Sequence, residues 1–482
     1  MVDKTGEVIV IGGGISGLTV AWHLKRAGVN VVLIEAQDQV GGCTQTERRD
    51  GFLLEKGPFN VIVRASDFED LLAAVSDRVS VVTASSAARA RYIYLGGRLL
   101  SVPTNPVSLL ATPLLSLGGR LRLIRGLLWS RRAGAKEETM EEVATRRFGR
   151  QVSDHMVSAV IAGIFAGDIR NLSLAACFPT VGRVDRAARS LIGYGLTAPF
   201  RSKKEKKPGR KRRWRGLVSI DGGLGALMDA LAAPLGAGLL SRCKVQAVRR
   251  DDSEYAVDYL GRDGRRATAC ARHVVIASPV QETARLIAPL VPEAANALES
   301  IESASLVVLN LGFRTADVGH PMRGYGFLVP HTETAFPLLG VLWADSIFPH
   351  HAPEGHRLMR VFIGGARRPE LVERSDDELL VMSLKSLRGV LQLTGEPMLV
   401  DVCRYESAIP QYQRGHLEKV ERIRAAVAAR PGLFLAGNYL GGVSLNDCVR
   451  VATGVAQAVI SSAASVPGVE APALAGAGAA GP

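Results

Sequence analysis

Residues 8–17 read Val-Ile-Val-Ile-Gly-Gly-Gly-Ile-Ser-Gly, an apolar run that passes directly into a glycine cluster. A second apolar run, Val-Val-Leu-Ile at 31–34, is followed at once by Glu35. Two such runs on either side of a glycine turn indicate a strand, a turn, a helix and a second strand. This is the order of a dinucleotide-binding βαβ unit, in which an acid after the second strand accepts hydrogen bonds from a ribose.

The glycines of this stretch fit the G-x-G-x-x-G pattern, and each has a physical task. Gly12 permits a tight turn, Gly14 lets a pyrophosphate approach the backbone, and Gly17 lets the helix pack closely on the strand. Ile15 and Ser16 begin the helix, where free N–H groups and a partial positive charge attract phosphate. The pattern predicts nucleotide binding, with a glycine-rich turn in some other βαβ unit as the alternative.

Length and composition describe a globular protein. The chain has 482 residues, which is enough for two or three domains with a sizeable core. Aromatic residues make up only 5%, which argues against a binding surface built on stacked rings. The six cysteines form no C-x-x-C and no Cys/His cluster with metal spacing, so we expect free thiols, a reducing compartment and no metal site. No secretory signal precedes the first strand.

The net charge of +13 is concentrated in one segment. Residues 201–215 hold ten basic residues and one acid, a run too dense to pack into a core, so we expect a flexible surface loop. Such a loop attracts anionic lipid or nucleic acid. Lipid is favoured over nucleic acid because the neighbouring region suggests a membrane; the alternative is a solvated insert.

That neighbouring region is 103–133. Leu117, Leu121, Ile124 and Leu128 fall at helical spacing, with arginines off the stripe. No apolar run reaches the roughly 18 residues that a membrane span needs. An apolar face beside a basic one suits a helix that lies in the membrane interface, although packing of the stripe on its own domain is an equal alternative from periodicity alone.

Further glycine segments indicate which nucleotide binds. Glu35 is followed by the pair Gly41-Gly42 and by Glu-Lys-Gly-Pro at 55–58, and many flavoproteins carry both features after the ribose acid. These segments favour FAD over NAD. Near the other end of the chain, Leu-Phe-Leu-Ala-Gly at 433–437 predicts another buried strand that ends in a glycine turn. We therefore expect the two ends of the chain to meet on one cofactor.

Four separated segments resemble motifs of the oxygen-dependent protoporphyrinogen oxidases, a family within the flavin amine oxidase superfamily that also contains coproporphyrinogen oxidases. In chain order the segments are Arg-Tyr-Ile-Tyr-Leu-Gly-Gly-Arg-Leu at 91–99, Ala-Gly-Ile-Phe-Ala-Gly-Asp at 162–168, Ala-Ile-Pro-Gln-Tyr with Gly-His at 408–416, and Gly-Asn-Tyr-Leu-Gly-Gly-Val-Ser-Leu-Asn-Asp-Cys at 437–448. The resemblance extends from about residue 6 to 462.

The resemblance implies an α/β fold with three parts. The FAD-binding domain, of the p-hydroxybenzoate hydroxylase type and with a discontinuous Rossmann-like chain, would comprise 1–75, 217–282 and 400–462. An α+β substrate domain would comprise 76–102 and 283–399. A helical membrane-associated domain would comprise 103–200, followed by a basic loop at 201–216, and a disordered tail would cover 463–482.

The resemblance also implies a reaction: six-electron oxidation of protoporphyrinogen IX to protoporphyrin IX in haem biosynthesis, with O2 reduced to H2O2. No acid/base pair or Ser/His/Asp set has persuasive spacing, which fits chemistry carried by flavin N5 as hydride acceptor. Coproporphyrinogen III oxidation, or a flavin amine oxidase or desaturase acting on a non-porphyrin substrate, are the alternatives. A non-enzymatic protein that binds lipid or nucleic acid through 201–215 is a third possibility.

Site residues follow from the same resemblance. Arg91 would bind a substrate propionate, the Gly163 carbonyl would face the pyrrole N–H groups, and Leu328 and Phe348 would sandwich the macrocycle. Each could instead be structural, Arg91 as a surface arginine, Gly163 as a helix-packing glycine and the other two as ordinary core. The expected cofactor contacts are Gly12, Gly14, Ile15, Ser16, Gly17, Glu35, Gly41, Gly42, Gly57, Pro58, Val245, Gly437, Asn438, Val443 and Ser444.

Two departures from the family pattern leave the substrate open. Phe59-Asn60-Val61 stands where Asn-Ser-Phe is often found, and Ala162 stands where arginine or serine is common. The implied location is cytoplasmic and peripheral on the inner face of the membrane. The implied partners are the porphyrinogen and O2, with no specific nucleic acid and with a homodimer as a possibility.

Overall fold

The structure of the chain is a computed structural model, and it describes residues 2–103, 105, 108, 111–129, 136–187, 190, 213–214 and 216–464. Its strands, in chain order, are β1 (Val2–Thr5), β2 (Val8–Ile11), β3 (Val31–Ile34), β4 (Thr46–Arg49), β5 (Phe52–Glu55), β6 (Val61–Ile62), β7 (Val81–Thr83), β8 (Tyr92–Leu95), β9 (Arg98–Ser101), β10 (Leu217–Ile220), β11 (Leu239–Leu240), β12 (Lys244–Asp251), β13 (Glu254–Leu260), β14 (Arg266–Ala271), β15 (His273–Ile276), β16 (Ser303–Arg314), β17 (Gly326–Leu328), β18 (Leu338–Trp343), β19 (His356–Gly364), β20 (Leu399–Pro410) and β21 (Leu433–Leu435).

The α-helices, in the same order, are α1 (Ile15–Arg26), α2 (Ser66–Ala74), α3 (Leu117–Leu128), α4 (Met140–Phe148), α5 (Ser158–Phe165), α6 (Leu174–Cys177), α7 (Pro179–Ala187), α8 (Leu224–Ala232), α9 (Val280–Ile287), α10 (Pro292–Glu299), α11 (Ala344–Ile347), α12 (Asp376–Leu391), α13 (His416–Ala428) and α14 (Leu445–Ala464). A π-helical segment, Val152–Val157, leads directly into α5.

A five-stranded parallel sheet with the order β11-β3-β2-β15-β21 organises both ends of the chain. Both of its faces are covered, which explains why β2 is apolar at every position. Val8 and Val10 pack on one face with α1, α8 and α14. Ile9 and Ile11 pack on the other face, with the sheet β1-β14-β13-β12 and with α9, α10 and α13. The predicted strand–turn–helix–strand order of residues 8–34 is confirmed.

A second, largely antiparallel sheet has the order β20-β16-β19-β18-β17-β8-β9. One face packs on α12 through alternate apolar residues of its strands. The other face is crossed by a row of paired positions: Cys403 on Val308, Val308 on Phe362, Phe362 on Gly340, and Gly340 on Leu328. Helix α5 covers part of this row, because Phe362 packs against the cluster that contains Ala162 of the helix.

Three expected boundaries differ from the structure. Residue 283 falls inside α9, which packs with α10 on the parallel sheet, so residues 283–299 lie with the parallel sheet and not with the substrate region. Residue 400 falls inside β20, whose pairing with β16 joins 399–410 to the seven-stranded sheet. Helix α14 continues to Ala464, so the predicted disordered tail begins at least two residues too early. The rest of the tail and nearly all of the basic run lie outside the described residues.

The helical region between the two sheets is held by small apolar clusters. Leu123 of α3 packs with Leu114, Leu115 and Val152, and Met140 of α4 packs with residues of α5. Within the described parts of the chain, no helix has the length and apolar character needed to cross a membrane. All six cysteines are free thiols.

Candidate active site

The glycine turn at the end of β2 leaves room for a ligand at one position only. A Cβ on Gly12, whose φ is +102°, would lie 2.8 Å from the Ala277 carbonyl oxygen, and a Cβ on Gly17 would lie 1.9 Å from that of Gly12. A Cβ on Gly14 would meet nothing within 4 Å. Gly14 precedes α1, and no side chain caps the helix N-terminus. An open backbone at an uncapped helix start fits a pyrophosphate.

The acid after β3 is fixed directly beneath this turn. One carboxylate oxygen of Glu35 accepts a hydrogen bond from the Gly13 N–H at 2.6 Å, and the other accepts from the Gln37 N–H at 2.7 Å. The residue is buried. Because each carboxylate oxygen has more than one acceptor position, both can still receive a ribose hydroxyl.

The glycine pair after Glu35 lies against the turn. Gly41 forms a bridge with Gly14, and its N–H donates to the Gly13 carbonyl at 2.7 Å. A Cβ on Gly42 would have the Gly14 Cα, at 3.5 Å, as its nearest neighbour. Thr44, which sequence reasoning missed, is buried beside this pair, and its N–H donates to the Gly41 carbonyl at 2.9 Å.

The start of α14 lies next to α1. Together with the glycine turn at 12–17, Glu35 and the glycine pair Gly41-Gly42, it forms what we call the cofactor cradle. Val443 and Ser444 precede α14, and the Ser444 hydroxyl accepts from the Asp447 N–H. Helix α14 packs beside α1 in one core. Burial raises the pKa of Cys448 to about 12, so this thiol stays protonated. Residues from the two ends of the chain therefore meet, as the two glycine-ended strands predicted.

A hydrogen-bonded tyrosine holds the loop that joins β21 to α14. The Tyr412 hydroxyl donates to the Asn438 carbonyl and accepts from the Gly442 N–H at 2.8 Å. A Cβ on Gly437 would lie 2.3 Å from the Tyr439 ring, so glycine is needed there unless the ring moves. The loop that carries Gly437 and Asn438 is thus built around buried tyrosines.

The Gly57-Pro58 turn packs tightly on the glycine-pair segment. A Cβ on Gly57 would lie 2.3 Å from the Cys43 carbonyl oxygen. Just before the turn, the buried carboxyl of Glu55 accepts from the Leu224 N–H and the Thr46 hydroxyl, both at 2.7 Å. Burial raises the pKa of Glu55 to about 7, against the opposing effect of these two donors.

Val245, one of the expected cofactor contacts, lies near the segment that carries Glu35. The Cys243 N–H donates to the Glu35 carbonyl at 2.8 Å, which holds the start of β12 beside the ribose acid. Val245 follows, at an irregularity in the pairing of β12 with β13. Its carbonyl accepts from Arg285 at 3.2 Å, so a ligand would share that oxygen.

Two of the four expected substrate residues are in contact. A Cβ on Gly163, in α5, would lie 2.7 Å from a terminal carbon of Leu328. The exposed Arg91 stacks its guanidinium over the Tyr325 ring at 5.1 Å, near the same end of β8 and β17. Phe348 belongs to a different cluster: it is fully buried, and its ring lies 5.5 Å from that of Phe59.

Sequence reasoning missed the neighbours that the sheet brings to this face. Phe362 and Val308 share the cross-strand row with Leu328, and Arg360 lies two residues before Phe362 on the same side of β19. The sequence signal that could have identified Arg360 is its position among the apolar residues of a strand. Within the described residues, no group of three or more His, Cys, Asp or Glu side chains is placed to hold a metal ion.

The structure brings together an open glycine turn, a buried acid and a C-terminal helix that packs on the first helix. This arrangement is typical of FAD-binding α/β proteins. The profile of the flavin-containing amine oxidoreductases matches residues 15–460, and the chain belongs to this family. It is an oxidoreductase whose cofactor is FAD, as the glycine segments predicted.

Individual relatives support the resemblance seen in the motifs. The coproporphyrinogen III oxidase of Bacillus subtilis (strain 168) is 27% identical over 466 residues, which cover 93% of this chain and 97% of the relative. The chloroplastic/mitochondrial protoporphyrinogen oxidase 2 of Arabidopsis thaliana is 28% identical over 485 residues, 94% of each chain. The crystal structure of a protein of Exiguobacterium sp. 255-15, assigned as a protoporphyrinogen oxidase, superposes with a TM-score of 0.78 at 26% identity and covers 95% of this chain and 99% of that one. These relatives confirm the resemblance to the protoporphyrinogen and coproporphyrinogen oxidases that the motifs indicated.

Proposed function

We propose that the protein oxidises a porphyrinogen to the corresponding porphyrin, with protoporphyrinogen IX as the first candidate, in haem biosynthesis. The observation that carries the proposal is the contact of Gly163 with Leu328, in a chain similar over nearly its whole length to porphyrinogen oxidases. Bound FAD supplies the hydride acceptor and passes the electrons to O2.

The protein's own residues bind and orient the substrate. Arg91 has no carboxylate partner within ion-pair distance in the described chain, so its guanidinium is available to a propionate. Gly163 lies in the last turn of α5, where main-chain carbonyls have no N–H partner within the helix and can accept from pyrrole N–H groups. Leu328 and Phe362 offer apolar surface that excludes water from the macrocycle.

The test is aerobic turnover of protoporphyrinogen IX, with porphyrin fluorescence and H2O2 measured together. We expect three H2O2 for each porphyrin formed. Absence of turnover with any porphyrinogen, together with anaerobic reduction of the flavin by amines, would contradict the proposal and favour an amine oxidase.

Coproporphyrinogen III is the second candidate, and a specific observation favours it: the Bacillus subtilis relative is a coproporphyrinogen III oxidase. Coproporphyrinogen carries four propionates where protoporphyrinogen carries two, so the two substrates differ in the cations they need. Oxygen uptake with each porphyrinogen at equal concentration decides between them, and faster turnover of coproporphyrinogen would make it the preferred substrate.

We further propose peripheral attachment to the inner face of the cytoplasmic membrane through α3. Leu117, Leu121 and Leu128 are 74%, 69% and 53% exposed, while Leu123 on the opposite side of the helix is buried. A Cβ on Gly126 would lie 1.9 Å from the Arg147 carbonyl oxygen, so α3 rests directly on the end of α4. The predicted apolar stripe therefore faces away from the protein, which disfavours the alternative that it packs on its own domain.

Flotation with vesicles of phosphatidylcholine and phosphatidylglycerol tests this attachment. Leu121→Glu is expected to leave the protein unbound, whereas Val381→Glu, at a similarly exposed apolar position on α12, is expected to float like the unmodified protein. Equal flotation of both variants would contradict attachment through α3. The homodimer stays a prediction, which sedimentation of the holoenzyme would test.

A further inference from the structure

Arg360 is a buried cation that the proposed reaction does not use. It lies in the middle of β19, is 1% exposed, and has no carboxylate within ion-pair distance in the described chain. Burying an unpaired charge costs several kcal/mol in a protein interior. Because guanidinium groups stay protonated, this cost is not relieved by loss of the proton.

The hydrogen bonds of Arg360 point to the cofactor side of the sheet. Its Nη2 donates to the carbonyls of Glu55 and Gly57, each at 2.8 Å, and its Nε donates to the Asn310 side-chain oxygen at 3.0 Å. The Phe59 ring centroid lies 5.1 Å from its Cζ. Nη1 is buried with no hydrogen-bond partner in the described chain. The arginine thus clamps both sides of the turn that precedes Phe59.

The carboxylate that could balance the charge of Arg360 is Asp401, and it is connected to the arginine only through Asn310. Asn310 donates to Asp401 at 2.9 Å, and Asp401 is paired with Lys56 at 2.7 Å. The carboxylate nearest along this hydrogen-bond chain is therefore already paired, and a neutral amide separates it from Arg360. The Glu55 carboxyl also attracts the guanidinium, but with a pKa of about 7 it carries only part of a charge at neutral pH. The positive charge of Arg360 stays largely uncompensated in a region of low dielectric constant, where solvent ions do not screen it.

The turn that Arg360 clamps is the one that packs on the glycine-pair segment of the FAD cradle. Transfer of a hydride adds two electrons and one proton to a neutral flavin, so the reduced ring carries one more negative charge than the oxidised ring. A fixed positive charge near the ring stabilises the reduced form more than the oxidised form.

We propose that Arg360 is a positioning residue that clamps the Gly57-Pro58 turn and that its unpaired positive charge raises the reduction potential of the bound flavin. This inference rests on the expectation that Gly57 and Pro58 contact the cofactor, and it takes the flavin ring as the part of FAD that lies at that turn. It does not depend on which substrate the enzyme oxidises.

Sulfite binding to the oxidised holoenzyme provides a test without a porphyrinogen, because sulfite adds to the flavin and leaves the ring negatively charged. Arg360→Met keeps the length of the side chain and removes the charge; we expect sulfite affinity at least tenfold weaker and a midpoint potential, measured against reference dyes, that is more negative. Arg360→Lys keeps the charge and is expected to stay within about threefold of the unmodified protein. Arg314→Met, at an exposed arginine at the end of β16, is the matched control and should change neither value.

The Asp401→Asn variant provides a second test. It remains usable if Arg360→Met fails to retain FAD, because it changes the charge near the turn without altering Arg360. Removing this carboxylate leaves more net positive charge behind the turn, so sulfite should bind more tightly and the potential should rise. The proposal is overturned if Arg360→Met retains FAD with unchanged sulfite affinity and potential, or if Asp401→Asn leaves both unchanged. Failure of porphyrinogen turnover alone would instead count against the proposed function, because these measurements use only the flavin.

Discussion

The cofactor cradle and the substrate face both depend on glycines, but the neighbours of these glycines differ in kind. A Cβ on Gly17 would meet the backbone oxygen of Gly12 at 1.9 Å, whereas a Cβ on Gly163 would meet a side-chain carbon of Leu328 at 2.7 Å. The backbone of Gly12 lies between packed elements and cannot move to make room for a methyl group. The side chain of Leu328 can do so by changing its rotamer. The cradle should therefore respond to substitution by loss of cofactor, and the substrate face by altered recognition.

The largest effect is expected at Gly17. In Gly17→Ala the added methyl forces α1 away from β2, so we expect loss of most bound FAD and a destabilisation of about 3 kcal/mol or more. Flavin absorbance per chain and thermal unfolding measure the two effects. Gly454→Ala is the control, since it is also a helix glycine and its Cβ would meet nothing within 4 Å; it should keep FAD and gain up to about 1 kcal/mol. Full flavin content in Gly17→Ala would remove the contrast between the two regions.

A smaller, separable effect is expected at Gly163. Gly163→Ala should retain FAD at one per chain and raise the KM for the porphyrinogen by about tenfold, roughly 1.4 kcal/mol, because Leu328 must move into the substrate space. In the Leu328→Ala background the same substitution should cost much less, since the contact is gone. Additive effects of the two changes would show that the contact does not shape the site.

Arg91 tests the polar edge of the substrate face. Arg91→Ala should raise KM about tenfold with little change in kcat, because a charge-assisted bond to a carboxylate contributes about 1.5–3 kcal/mol and is made equally in ground and transition states. Arg98→Ala, at an exposed arginine on the paired strand β9, is the matched control. Equal kinetics for the two variants would remove Arg91 from the substrate site.

An effect that depends on pH is expected at the border between the two regions, where Glu55 lies. Burial raises the pKa of this carboxyl to about 7 in the folded protein, from an ordinary value of 4.5. The stabilisation from the neutral carboxyl is thus complete below about pH 4.5 and is lost as the pH rises through 7, by up to about 3 kcal/mol. Thermal unfolding of Glu55→Gln should depend less on pH between 5 and 8 than that of the unmodified protein. Parallel curves for the two proteins would contradict a raised pKa.

The strand–turn–helix–strand unit and the flavin cofactor could be predicted because both depend on short, contiguous sequence patterns. The first glycine turn, Glu35 and the glycine pair act through main-chain geometry, and a steric requirement leaves few residue types to choose from. The substrate face could be predicted only in part. Leu328 was expected there through a resemblance, but its neighbour Phe362 is 34 residues away and meets it only through strand pairing.

The position of Arg360 also could not be predicted from a local sequence pattern. In the sequence this residue is one of many arginines, and its only mark is its place among the apolar residues of a strand. Its partners lie at Glu55, Gly57 and Asn310, far apart in the chain and close only because β19 pairs with β16 beneath the turn.

By itself, the sequence predicted a dinucleotide-binding unit at residues 8–35, FAD as the dinucleotide, and a binding site to which both ends of the chain contribute. These conclusions follow from local steric demands: a tight turn needs glycine, and a strand buried on both faces needs an unbroken apolar run. Only the tertiary structure showed which side chains lie in one row with Leu328, that Leu117 and Leu121 of α3 are exposed, and that an arginine without a carboxylate partner lies behind the Gly57-Pro58 turn. Those features arise from contacts between distant strands and helices, and the pairing of sheets is not encoded in any single local pattern.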